Sequence, residues 1–178
     1  MDKIFVISSQ VNLQGCRPAV KRLPRLALEV SSIPSAGIGV FANERISKNQ
    51  FITEYGGELL THLPQFYTDR DLTHIITLSH GIDWIDSRVT MFYPLSNYVD
   101  EHNVGGFVND PFGSGNSANA VYHWHPNGRP FAQIDGAGRR TAGSSKRVFL
   151  RALRDIEVGE EILVNYGRAY HRRHFVTE

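Results

Sequence analysis

The segment of residues 105–122, with the sequence GGFVNDPFGSGNSANAVY, constrains the fold of this chain more than any other stretch. Glycine, proline and asparagine recur in it so densely that neither a helix nor a long strand is expected. Phe107, Val108 and Phe112 are nevertheless apolar enough to be drawn inside the protein. A buried loop must satisfy its own backbone, which short Asn, Asp and Ser side chains can do locally. Taken alone, the segment favours a flexible surface turn slightly over a buried functional loop.

Composition narrows the class of protein. A length of 178 residues with 41% hydrophobic residues predicts one domain with a real core. The 19 Lys and Arg nearly balance the 18 Asp and Glu, which argues against direct nucleic-acid binding. Cys16 is the only cysteine, so neither an internal disulfide nor a cysteine-based zinc cluster is expected, and a reducing compartment is favoured. No apolar run is long enough for a signal peptide or a bilayer span, which predicts a soluble intracellular protein without membrane association.

Short alternating apolar runs dominate the chain and predict a mainly β fold with non-local strand pairing. The sequence LALEV from Leu26 is typical of a half-buried strand, and residues 33–41 predict a glycine-hinged turn into a second strand. Further strands are predicted at residues 51–55, 58–61, 74–78, 84–86, 120–124, 130–134, 147–152 and 162–167, with a short helix at 64–73.

Isolated motifs leave several readings open. Gly37 and Gly39 form a GxG that lacks the third glycine of a dinucleotide fingerprint, and a tight hairpin explains them almost as well as a ligand that approaches the backbone. His123 and His125 share one face of a predicted strand without a third ligand, so a surface pair is favoured over a metal site. Residues 136–147 carry four basic side chains among glycines and serines, which favours a solvated hairpin tip. Neither a Gly-x-Ser-x-Gly elbow nor paired carboxylates indicate a hydrolase.

The order and spacing of four stretches resemble the SET-domain protein lysine methyltransferases. The stretches are residues 37–39 (GIG), residues 53–58 (TEYGGE), residues 106–109 (GFVN) with Asn119 and Ala120, and residues 159–167 (GEEILVNYG). The resemblance covers residues 26–167, preceded by an N-terminal arm at 1–25 and followed by a basic, aromatic tail at 168–178. It implies a mainly β SET-domain fold with a knot-like C-terminal threading, in which the final strand passes beneath the asparagine loop.

The resemblance implies roles for aromatic side chains. Tyr166 would be the catalytic tyrosine, and Tyr55, Tyr122 and Val164 would line the channel that admits a substrate lysine. A tyrosine hydroxyl at position 122 would hold a water or the amine and limit the number of methyl groups, which favours mono- or dimethylation.

The resemblance also implies S-adenosyl-L-methionine as cofactor and no metal. Tyr170 or Phe175 of the tail would complete the adenine side and the channel wall. The residues implied to bind the cofactor are Gly37, Ile38, Gly39, Phe107, Asn109 and Asp110.

Asp110, Pro111 and Phe112 take the places of the family's usual histidine, serine and cysteine, and the flanking cysteine clusters of many members are missing. The leading interpretation is a lysine methyltransferase that acts on a histone tail as a chromatin regulator in the nucleus. The alternative, motivated by Asp110, is a catalytically silent SET-like module that binds a peptide or partner. A β-rich interaction domain unrelated to the family is a third reading, and the oligomeric state is left open.

Overall fold

The computed structural model describes residues 5–6, 23–60, 62, 71–79, 83–88, 103–125, 133–134, 140–141 and 147–175. Short strands make up most of the regular structure of these residues, together with an α-helix near the C-terminus and short 3-10 helices at Asp71–His74 and Gly105–Phe107. The elements are β1 (Phe5–Val6), β2 (Leu26–Val30), β3 (Ile38–Ala42), β4 (Phe51–Glu54), β5 (Glu58–Leu60), β6 (Ile75–Ser79), β7 (Asp83–Asp86), β8 (Ala120–His125), β9 (Gln133–Ile134), β10 (Arg140–Thr141), β11 (Arg147–Ala152) and α1 (Arg168–Phe175). The mainly β prediction is confirmed.

The strands form four small antiparallel sheets, in the orders β1-β2-β3, β4-β11-β8, β5-β7-β6 and β10-β9. The hairpin of β2 and β3 pairs Leu26 with Ala42 and Val30 with Ile38. Its turn contains Gly37 with a φ of 75°, a left-handed conformation in which a side chain would be strained. The turn glycine therefore fixes the path of residues 33–38, which later form one wall of the site.

The core is centred on β11, the middle strand of its sheet. Val148, Leu150 and Ala152 are fully buried, and β11 pairs along its whole length with β8. Leu150 and Ala152 pack in one cluster with apolar side chains from β2, β3, β4 and the C-terminal segment, whereas Val148 packs with Tyr55 and Ile85. Fully buried members of the first cluster include Ile46, Ile52, Ile156, Ile162 and Val164.

The C-terminal segment passes between two parts of the asparagine loop. Leu163 forms a parallel bridge with Asn109, and Val164 forms a parallel bridge with Ala120. The Asn119 side chain makes two hydrogen bonds to the backbone of this segment, in place of those that a neighbouring strand would make. Its Nδ2 donates to the carbonyl of Glu161 (2.8 Å), and its Oδ1 accepts from the N–H of Leu163 (2.9 Å). This threading agrees with the knot-like fold. The prediction of a regular strand over 162–167 is wrong, since the partners of the segment are two loop ends rather than one continuous strand.

Most other predicted strands are present within one or two residues of their predicted ends. Residues 64–70 of the predicted helix, residues 130–132 and most of the loop at 136–147 lie outside the described residues. So does most of the arm at 1–25, although β1 within it pairs with β2. The tail was predicted only as basic and aromatic, and its residues 168–175 form α1. Neither α1 nor any other described helix is long and apolar enough to cross a membrane.

Candidate functional site

Two cavities meet beneath the asparagine loop. The larger has a volume of about 800 Å³ and the smaller about 400 Å³. Both are lined by Thr73, Gly106, Tyr166 and Tyr170, so these residues mark the junction. The volumes lie in the range of sites for small ligands, roughly 300–1,000 Å³. Two adjoining cavities allow two ligands to meet end to end at Tyr166.

The larger cavity lies between the β2–β3 turn and the asparagine loop. The turn contributes residues 33–38, and the loop contributes Phe107, Asn109, Asp110 and Phe112. Asn109 ties the two walls together, because its Nδ2 donates to the carbonyl of Ile38 (3.1 Å) and to Glu161 (3.2 Å). Its Oδ1 accepts no hydrogen bond from any residue in the described part of the chain. That oxygen is therefore available to an ammonium or N–H group of a ligand.

Glu161 is a buried carboxylate behind this wall, with a relative exposure of 6%. It accepts hydrogen bonds from the hydroxyls of Ser31 (2.7 Å) and Ser32 (2.6 Å) and from the N–H of Ser32 (2.8 Å). A Cβ added at Gly39 would lie 2.2 Å from Glu161 Oε1. Gly39 is thus required for the approach of Glu161, and this carboxylate anchors the β2–β3 turn to the C-terminal segment.

The smaller cavity is a largely aromatic channel. Tyr55, Tyr122, Tyr166 and Tyr170 line it, together with residues 75–77 and Trp124. The rings of Tyr55 and Tyr122 meet edge to face with centroids 6.0 Å apart, and those of Tyr166 and Tyr170 do so at 4.8 Å. A narrow aromatic wall of this kind suits an extended aliphatic side chain with a polar end.

The tyrosine hydroxyls are held differently. Tyr166 donates to the carbonyl of Val108 (2.6 Å). Tyr55 donates to the carbonyl of His74 (2.9 Å) and lies 3.0 Å from the Ser87 hydroxyl. The Tyr122 hydroxyl has no hydrogen-bond partner among the described residues, although its ring lines the cavity.

Burial keeps these tyrosines neutral. It is the largest cause of the raised pKa of Tyr166, to which neighbouring tyrosines and the charge of Asp110 add. Burial likewise raises the pKa values of Tyr55 and Tyr122 well above their ordinary value. Hydroxyls with such pKa values remain protonated at physiological pH, so they act as hydrogen-bonding and positioning groups rather than as bases.

Asp110 joins three segments at the rim of the larger cavity. Its Oδ1 accepts from the N–H of Phe112 (2.8 Å), and its Oδ2 accepts from the N–H of Tyr166 (2.5 Å). The same Oδ2 lies 2.8 Å from Nε2 of His171 on α1. The rings of Phe112 and His171 stack with centroids 4.2 Å apart at 27°. Asp110 therefore fixes the loop, the end of the threaded segment and α1 relative to one another.

A sequence model of the SET domain matches residues 37–167, which is most of the chain. The chain belongs to the SET-domain family. One curated relative is histone-lysine N-methyltransferase EZH2 of Chaetomium thermophilum, 25% identical over 154 residues, or 80% of this chain and 8% of the relative.

Solved structures show the same SET-domain fold. One is ctPRC2 in an autoinhibited conformation bound to S-adenosylmethionine, with a TM-score of 0.55 and 21% identity over 82% of this chain and 15% of that chain. Another is the crystal structure of Chaetomium thermophilum polycomb repressive complex 2, with a TM-score of 0.53 and 21% identity over 83% of this chain and 16% of that chain. The chain thus spans less than a fifth of these proteins.

The SET domain brings together most of the residues singled out from the sequence. Tyr166 and Tyr170 lie at the junction, and Tyr55 and Tyr122 line the smaller cavity. Gly37, Ile38, Phe107, Asn109 and Asp110 line the larger cavity.

Two of those residues are placed elsewhere. Gly39 and Val164 are in neither wall: Gly39 packs against Glu161, and Val164 is fully buried in the core. The side chain of Phe175 lies outside the described part of the chain. Within that part, no group of three His, Cys, Asp or Glu side chains could hold a metal ion.

Several residues that line or support the cavities are not indicated as site residues by the sequence. Thr73 and Trp124 carry no signal beyond their place in or near strands, and Gly106 is marked only by its position in the GFVN stretch. Phe112 does carry a signal, since a large aromatic directly after an Asp-Pro step in a glycine-rich loop is unusual. The unassigned residues are Thr73, Gly106, Phe112, Trp124 and His171.

Proposed function

We propose that this SET domain is an S-adenosylmethionine-dependent protein lysine N-methyltransferase whose substrate is a lysine of a histone tail. The observation that carries the proposal is the meeting of the two cavities at Tyr166, a larger one that the Asn109 side chain lines and a smaller one that tyrosines line. The names of the relatives support both the cofactor and the substrate class. A histone substrate favours a nuclear location.

The larger cavity fits the cofactor. Gly37 leaves the backbone of the turn open to a ligand, since no atom lies within 4 Å of its missing Cβ. Asn109 offers a carboxamide oxygen, and Phe107 and Phe112 offer apolar surface. Gly37, Ile38, Phe107 and Asn109 would hold the cofactor, and we assign Asp110 a positioning role because three protein donors already engage its carboxylate. When bound, S-adenosylmethionine supplies an activated methyl group on a positively charged sulfur to a neutral amine in line with it.

The smaller cavity promotes loss of the lysine proton. A lysine with an ordinary pKa of about 10.4 must lose about 3 units to be half neutral near pH 7, a cost of roughly 4 kcal/mol. Ile75, Ile76 and the tyrosine rings contribute apolar surface to this cavity, and removal of the amine from water against such surface lowers its pKa. The chain needs no general base of its own, because the proton can leave to water before the lysine is fully enclosed.

Tyr166 positions the amine at the junction. Its hydroxyl is fixed by the carbonyl of Val108 and remains neutral. The phenolic oxygen can still accept a hydrogen bond from the amine or a weak one from a polarised methyl group. We therefore propose that Tyr166 aligns the nucleophile with the methyl group.

Cofactor binding to the purified chain is the first test, and Asn109→Ala should weaken it by about 10- to 100-fold. The substitution removes the carboxamide oxygen and releases the turn at Ile38. Isothermal titration calorimetry measures the affinity of the wild type and of Asn109→Ala for S-adenosylmethionine. Asn116→Ala, which changes an exposed asparagine of the same loop, is the matched control. If the wild-type chain shows no saturable binding, the enzyme proposal fails and a silent peptide-binding module takes its place.

Tyr122→Phe should raise the number of methyl groups added to one lysine, from mono- and dimethyl products towards trimethyl. The hydroxyl at position 122 lacks a partner among the described residues, so its removal leaves room at the channel wall without breaking a known contact. Mass spectrometry of histone peptides gives the product distribution, with peptides carrying Arg for Lys as blanks. Val121→Ala, on the opposite face of β8, is the control and should leave the distribution unchanged. An unaltered distribution in Tyr122→Phe would remove this residue from product control.

A further inference from the structure

Phe112 occupies an unusual position for a large aromatic residue. It lies in the wall of the larger cavity, yet its relative exposure is 49%. Its ring stacks on that of His171, with centroids 4.2 Å apart and planes 27° from parallel. An exposed ring at the rim of a ligand cavity leaves apolar surface in contact with water, which is unfavourable. A planar group bound in the cavity would cover that surface.

The backbone around Phe112 is held rigidly. Its N–H donates to Asp110 Oδ1 (2.8 Å), and Pro111 between them is buried. The carbonyl of Pro111 accepts from both the N–H (3.0 Å) and the hydroxyl (2.7 Å) of Ser114. The turn therefore fixes the backbone that carries the ring, and the stack on His171 favours one orientation of the ring itself, so that little conformational freedom is lost when a ligand binds.

The ring of Phe112 is supported on one face by His171, and His171 is in turn held by Asp110. Asp110, with 6% of its side chain exposed, accepts from His171, whose side chain is 14% exposed. The same imidazole stacks on Phe112. The carboxylate of Asp110 therefore holds both the backbone N–H of Phe112 and the side chain that supports its ring. The N–H of Tyr166 bonds to the same carboxylate, which links this support to the junction of the cavities.

We infer that Phe112 is the platform on which the adenine of the cofactor stacks, and that Asp110 and His171 are positioning residues that hold it. This inference rests on the proposed function. A phenyl ring offers no hydrogen bond, so it recognises a planar π system by area and stacking alone. Adenine is the planar part of S-adenosylmethionine. Tyr170 meets Tyr166 edge to face at the junction of the two cavities, whereas Phe112 lines the larger cavity only.

Calorimetric titration of Phe112→Ala with S-adenosylmethionine and with S-adenosylhomocysteine tests the inference. Both affinities should fall by the same factor, about 10- to 100-fold, because both ligands carry adenine. Phe112→Trp and Phe112→Tyr should stay within about threefold of wild type, since either ring can stack. His171→Ala should weaken both ligands by about fivefold, whereas Arg172→Ala, an exposed neighbour on α1, should have no effect.

The outcomes separate this inference from the proposed function. If the wild-type chain binds neither ligand, the proposed function fails and the inference falls with it. If the wild-type chain binds both ligands and Phe112→Ala binds them equally well, only the inference is overturned. A loss in Phe112→Ala confined to S-adenosylmethionine also overturns it, since the ring would then sense the sulfonium rather than the adenine. Rescue by Trp and Tyr distinguishes stacking from a general loss of structure.

Discussion

Tyr166→Phe should lower kcat for methyl transfer by about 100-fold, while the Kd for S-adenosylmethionine stays within about threefold of wild type. The substitution removes one oxygen from the junction of the two cavities and leaves the ring in contact with Tyr170. The hydroxyl is fixed on the carbonyl of Val108, so its loss removes the alignment of the amine together with one hydrogen bond to that buried residue. Single-turnover kinetics with a histone peptide measure the chemical step, and calorimetry measures binding.

The pH profile distinguishes positioning by Tyr166 from base catalysis. Burial raises the pKa of its hydroxyl, so the group stays protonated below pH 9 and has no proton-accepting form there. The rate should rise with pH in both the wild type and Tyr166→Phe, because deprotonation of the substrate lysine controls it in each. Full activity in the variant would rule out the positioning role, and loss of the pH-dependent rise would indicate a base.

Glu161→Ala should destabilise the protein by about 3–5 kcal/mol. The substitution leaves a buried space and strands the donors of Ser31, Ser32 and Asn109 that now converge on this carboxylate. Those donors lie 52 to 130 residues from Glu161 in the sequence, so the contact joins the β2–β3 turn to the threaded segment. Urea unfolding followed by circular dichroism measures the change as a shift in midpoint at constant slope.

Two variants control for charge and volume. Glu157→Ala removes an exposed carboxylate whose side chain is 66% accessible and forms a surface ion pair with Arg45, so its effect should be below about 1 kcal/mol. Glu161→Gln preserves the side-chain volume but replaces one acceptor oxygen by an NH2 group, which would face the donors that now bind the carboxylate. Its loss of stability should lie between those of Glu161→Ala and Glu157→Ala. Equal stability of Glu161→Ala and Glu157→Ala would show that Glu161 does not anchor the turn.

Local elements of the fold could be predicted from the sequence because each depends on its own residues. The LALEV stretch predicts a strand, and β2 forms there, but its burial does not alternate: Leu26, Ala27 and Leu28 are all buried, whereas Val30 is exposed. Gly37 marks a left-handed turn, which needs only local backbone geometry. The order of the SET motifs gave the family, and with it the expectation that Tyr55, Tyr122 and Tyr166 converge, as they do around the smaller cavity.

Other features could not be predicted because their cause lies far away along the chain. The apolar alternation of residues 162–167 suggested a strand, but Leu163 and Val164 bond to different loop ends, so no ladder forms. Val164 was expected in the channel, yet the threading places it in the core beside Ala120. Gly39 was expected to touch a ligand, but the space that it leaves is filled by Glu161.

The sequence by itself determined the family, the mainly β class and the residue types available to the site. Only the tertiary structure decided how these residues are used. Asp110 and His171 are 61 residues apart, and nothing local to either predicts that they bond or that His171 stacks on Phe112. Propensity and periodicity record interactions between near neighbours, whereas the partner of a buried polar group is set by which segments the whole topology brings together.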